Sequence, residues 1–134
     1  MELFNGGHVS LKDIPVLAEK EFREEVLLRC HDGARLTNLF GSPEEGGGVR
    51  LIAILGLDED SLLQVLSTRI PAGSPRYESL TPKLLQAHLF EREIAEQWAV
   101  IPEGHPWLKP VRYHANYRGV PDLWKDIAQK TIPG

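Results

Sequence analysis

Apolar residues recur along this chain with two different periods. From Ser10 to Glu25, Leu11, Ile14, Leu17, Ala18 and Phe22 follow helical spacing. Ser10 is placed to cap that helix, with Asp13 as its capping-box partner, and Pro15 suits a first turn. The pattern then turns to strands. Val26–Cys30 reads as a short strand, and His31-Asp32-Gly33 as a hairpin turn. Ala34–Phe40 is the return strand, and Gly41–Gly48 a flexible connection. Val49–Leu57 is the most apolar strand and is predicted to be central; Asp58–Asp60 turns the chain into a further strand over 62–70. Residues 1–9 read as a loose start.

After Ser79-Leu80-Thr81-Pro82 the helical period returns, up to about Trp98. No regular element is expected from Pro102 to Pro110, where prolines punctuate the chain, and a short amphipathic helix is expected from Pro121 to about Lys130. These elements predict an α+β fold: a mostly antiparallel sheet of about four strands, helices on one face, and an irregular Pro-rich C-terminal arm. The 134 residues fit one domain, with a core at about 10–100 and the arm and last helix at about 101–134.

Composition narrows the function. Hydrophobic content of 42% and charged content of 25% are ordinary for a globular chain. A net charge of −4 argues against a nucleic-acid partner. The longest clean apolar run, Leu51–Leu57, is far shorter than the ~20 residues a membrane-spanning helix needs, and the N-terminus lacks a signal-peptide pattern. Membrane association would come through a partner. Cys30 is the one cysteine. An internal disulfide and a self-contained iron–sulfur cluster are therefore excluded, and a reducing compartment is expected. The five histidines show no metal-ligand spacing. Gly46-Gly47-Gly48 opens onto a strand without the Lys-Ser/Thr of a phosphate loop. No cofactor is expected.

The chemistry concentrates in residues 90–112. With Leu84 at zero and about 100° per residue, Ala87, Phe90, Ile94, Ala95 and Trp98 share one arc of about 140°. Gln86, Glu93 and Gln97 fall opposite, and Arg92 and Glu96 share a flank where an i, i+4 pair is expected. Glu91 falls inside the apolar arc. A carboxylate there must find partners. It is held by a hydrogen bond or by an arginine such as Arg112, or it faces a partner protein, or it acts as a general acid with His88 or His105. Gly104-His105-Pro106 presents an imidazole from stiffened backbone. That ring either shapes the arm through a backbone hydrogen bond or meets a partner. Trp107 and Leu108 pack back on the helix or fill a groove on another chain.

Phe90-Glu91-Arg92-Glu93-Ile94, Glu96, Gly104-His105-Pro106, Leu108-Lys109 and Val111 together resemble the signature of the 30 kDa subunit of respiratory complex I. The resemblance covers about residues 10–114. It departs at Gln97-Trp98, where two apolar residues are usual, and at Ala99, where glycine is usual. Glu96-Gln97-Trp98, Asp32-Gly33-Ala34-Arg35-Leu36 and Asn38-Leu39-Phe40 are more similar to the branch found in membrane-bound nickel–iron hydrogenases. The resemblance implies a cofactor-free scaffold subunit that docks on a large 49 kDa-type or hydrogenase large subunit, beside an iron–sulfur subunit. It implies a cytoplasmic place on the inner face of the membrane, held there through partners. It carries interface roles onto Glu91, Arg92, Glu93, Glu96, His105 and Lys109; Trp107 and Arg112 join them as arm residues. The oligomeric state of an isolated copy stays open; a bare apolar patch would let it pair with itself. A small enzyme built on Glu91 and a histidine, and an assembly factor, are the alternatives.

Overall fold

A computed structural model describes the backbone at residues 2–4 and the whole of residues 13–57, 62–106, 108–109, 116–117 and 120. Strands β3 (Arg35–Pro43), β4 (Val49–Leu57) and β5 (Leu62–Ile70) form the antiparallel meander, with Leu39 opposite Ala53 and Ala53 opposite Leu66. Two short strands add to the free edge of β5. Strand β1 (Glu2–Phe4) pairs antiparallel at Leu62–Gln64, and β2 (Val16–Leu17) pairs parallel at Ser67–Thr68. The main path is therefore four strands in the order β1-β5-β4-β3, with β2 beside it. The predicted α+β architecture holds, and β4 is central as expected.

Alternation along β4 divides the core into two layers. Leu51, Ala53 and Leu55 join Phe22 and Val26 of helix α1 (Glu19–His31) and Ile94 of helix α2 (His88–Trp98). Ile52 joins Ile14 and Val65 on the other layer. Both helices thus lie on one face. A bulge between Leu36 and Asn38 lets Leu36 and Leu39, three apart, both face the helices. The opposite layer is closed partly by Arg50, 7% exposed, whose guanidinium donates to Ser67 Oγ at 3.0 Å and to the Ile14 carbonyl at 2.7 Å. Among the described residues no helix is long and apolar enough to cross a membrane.

Several sequence expectations are corrected. The first helix starts at Glu19, not near Ser10 or Pro15. Pro15 disfavours helical backbone at Ile14, and the Pro15 carbonyl accepts from Ser67 N at 3.0 Å. The chain therefore crosses the sheet edge here as β2, sending Ile14 and Phe22 to opposite layers. Ser10 and Leu11 lie outside the described residues. Val26–Cys30 is helical, not a strand. Phe22 and Val26 are four apart and buried together, while Glu25 pairs with Arg29 at 2.7 Å. Acids in its first turn and Arg29 and His31 in its last suit the helix dipole.

The Asp32-Gly33 signal ends this helix rather than making a hairpin. Gly33 N bonds to Cys30 O and Ala34 N to Arg29 O, with Gly33 at φ 108°, the pairing of a Schellman motif. The return strand runs past Phe40 to Pro43, so Gly41 is paired (with Leu51) rather than flexible. Part of the loose start is strand β1. Within the expected irregular arm, strand β7 (Ile101–Glu103) pairs parallel with β6 (Arg76–Glu78). Proline is tolerated at Pro102 because a two-stranded ribbon leaves donor positions unused. The expected turn at 58–60 and helix at 121–130 lie outside the described residues.

Candidate functional site

Helix α2 follows a single 3₁₀ turn, Leu85–Ala87, and carries the charged run. Its side toward the sheet is Ala87, Glu91, Ile94 and Ala95, all at 1% exposure or less. Glu91 is fully buried, as its helical angle demands. Four donors meet its carboxylate. Ser79 Oγ and Thr81 Oγ1 donate to Oε1 at 2.6 and 2.5 Å, Thr81 N to Oε1 at 3.0 Å, and Leu80 N to Oε2 at 3.1 Å. This is the hydrogen-bonded option among the sequence readings; Arg112 lies outside the described residues. An ionised carboxylate only accepts, so hydroxyls and amides satisfy it without a counter-cation.

The Glu91 bonds have a structural consequence. They fix the 79–81 segment against α2, and Ser79 N also donates to Glu103 O at 2.9 Å, tying in the β6–β7 ribbon. Tyr77, 4% exposed, lies beneath this knot. Its hydroxyl makes no regular hydrogen bond among the described residues. Burial first, then the nearby Glu91 charge, pushes its phenol well above the usual tyrosine range.

The arm runs alongside α2 in the same direction. His105 Nε2 sits 3.1 Å from the His88 carbonyl; a carbonyl accepts, so Nε2 carries the proton. The two imidazoles stack with centroids 5.2 Å apart and planes at 27°. One turn on, Arg92 Nε donates to the Lys109 carbonyl at 3.0 Å. At the far end Tyr117 N donates to the Gln97 carbonyl at 2.5 Å, and its ring meets Trp98 at 5.2 Å. His105 is thus hydrogen-bonded to backbone, as one sequence reading had it. His88 is half-buried under that ring. Its pKa is lowered by burial first, then by His105, Arg92 and Lys109, against the opposing pull of Glu91.

Glu96 departs from expectation: it is 2% exposed rather than on an open flank. Glu93, expected in water, is half-buried, and Lys109 is exposed. Trp107 and Arg112 lie outside the described residues. Sequence reasoning missed Ser79 and Thr81 as partners of Glu91. A buried acid preceded by two hydroxyl residues in a turn is the signal that could have found them. It also missed Gln86, whose Oε1 accepts from Leu36 N at 2.9 Å.

This arrangement cannot bind a substrate at Glu91, which is sealed from solvent. Among the described residues no three His, Cys, Asp or Glu side chains gather to hold a metal ion. What α2 and the turn before it present outward is apolar: Leu89 and Leu85, at 55% and 72% exposure, four residues apart.

The fold has a solved counterpart. A trypsin-resistant fragment of Nqo5 superposes with a TM-score of 0.60 at 23% identity, covering 69% of this chain and 80% of that one. No curated protein matches the chain. Residues 17–131 match the family model described as the respiratory-chain NADH dehydrogenase 30 kDa subunit. With the match extending from β2 through α2 and the arm, the chain belongs to the family of the 30 kDa subunit of respiratory-chain NADH dehydrogenase.

Proposed function

We propose that the chain is a structural subunit, with no cofactor or catalytic site of its own, that docks through the α2–arm face on a large 49 kDa-type subunit. An iron–sulfur subunit would neighbour it, in a complex I-type NADH:quinone oxidoreductase or the related membrane-bound hydrogenase. The chain acts as one 30 kDa-subunit-like domain, on the cytoplasmic face and peripheral to the membrane through its partners. The observation that carries this reading is the use made of the charged run. Glu91, Arg92 and His105 spend their hydrogen bonds holding 79–81 and the arm against α2. That leaves Leu85 and Leu89 bare, and Lys109, whose carbonyl accepts from Arg92, exposed. A pre-organised surface with a central apolar pair and a polar rim has the anatomy of an interface.

The test is co-expression of the tagged chain with its genomic large-subunit neighbour. Wild type should capture it stoichiometrically. Leu85→Asp with Leu89→Asp should cut capture at least tenfold while leaving the thermal melt unchanged. Equal capture by the double variant would contradict the proposed face, and Glu91-dependent turnover by the isolated chain would contradict the non-catalytic role.

A further inference from the structure

A second surface lies along α1, at the β5 edge of the sheet. Between α1 and the β2–β5 edge runs a groove of about 460 Å³, lined by Pro15, Leu17, Leu28, Gln64 and Leu66 and walled by Glu21, Glu24 and Glu25. Within it Leu28 is 54% exposed. Glu25 is engaged with Arg29 at 2.7 Å. Glu21 and Glu24 are exposed, and neither has an ion pair among the described residues. Gln64 Oε1, an acceptor shielded from solvent, has no hydrogen-bond partner among the described residues. A shielded acceptor left unpaired costs stability until a donor arrives.

We infer that this groove is a docking site for a basic, apolar segment of a second partner protein, with a Leu- or Ile-like side chain seated against Leu17, Leu28 and Leu66. Flanking Lys or Arg side chains would meet Glu21 and Glu24. The charge sign selects the occupant. An acidic or purely apolar segment would leave carboxylates desolvated without a counter-charge.

The test uses the full chain, isotope-labelled, titrated with the acetylated, amidated pentapeptide Lys-Leu-Lys-Leu-Lys. Saturable amide shifts are expected at Leu17, Glu21, Glu24, Leu28, Gln64 and Leu66, and none with the Glu-Leu-Glu-Leu-Glu counterpart. Glu21→Lys with Glu24→Lys should weaken binding at least tenfold. Leu28→Ala, which leaves charge intact, should weaken it severalfold. Glu45→Lys with Glu103→Lys, an equal charge change elsewhere, should alter it less than twofold. Shifts spread over all acidic surfaces, equal weakening by the remote pair, or no saturable binding would each overturn the assignment.

Discussion

Glu91 shows what one side chain decides here. Its carboxylate collects four donors from three consecutive residues, so removing its charge strands several of them at once. Glu91→Gln places amide hydrogens against donors and is expected to cost about 2–4 kcal/mol. Urea unfolding of wild type and variant checks this; a change within error would remove Glu91 from the knot. The residue's burial was legible from its helical angle alone. Its partners were not, because Ser79 and Thr81 reach it through a turn whose path no periodicity encodes.

Two titrations belong at the same scale. The His88 pKa is depressed from 6.5 in the folded chain. Between that folded value and 6.5 the unfolded chain binds more protons, so stability falls as pH drops below about 6.5. Wild type should therefore lose more stability from pH 7.5 to pH 5.5 than His88→Gln does, as measured by urea midpoints; equal losses would mean the ring is not buried under His105. Tyr77 should be the last tyrosine to ionise in an alkaline absorbance titration, and only as the fold opens.

Among the elements, α2 meets β3 at close range at Gly41. A methyl at Gly41 would stand 2.5 Å from Cδ1 and Nε1 of the Trp98 indole. Gly41→Ala is expected to cost about 1–3 kcal/mol through overpacking. Combined with Trp98→Leu, which removes the indole, that cost should largely vanish in a double-mutant cycle. Ala99 ends α2 at φ 53°, where glycine is unstrained, with its N–H on Ala95 O at 3.0 Å. The sequence departure noted at Ala99 thus leaves the left-handed cap in place and strains the residue that fills it. Other elements were harder to read. Val26–Cys30 looked like a strand because five residues hold no full helical repeat; only Phe22 behind it and the Schellman turn ahead of it reveal the helix.

For the whole molecule, the meander β3-β4-β5 was legible because β4 is apolar on both sides and its neighbours follow by short connections. The two additions at the β5 edge were not, since β1 and β2 are three and two residues long and depend on distant pairing. The sequence predicts an irregular Pro-rich arm and leaves open whether it packs back on the helix or on another chain. Its course along α2 depends on bonds to backbone carbonyls at His88 and Gln97, which no side-chain pattern announces. With Leu85 and Leu89 bare, the isolated chain should self-associate at high concentration in sedimentation runs, and Leu85→Asp with Leu89→Asp should abolish it.

The central claim is that the α2–arm face meets the large subunit. Hydrogen exchange of the chain alone and in the assembled complex tests it most directly. The account predicts added protection at 85–98 and 104–109, with the β3–β4 hairpin around Glu44–Gly48 unchanged. Protection confined to that hairpin, with α2 and the arm exchanging as in the free chain, would contradict it.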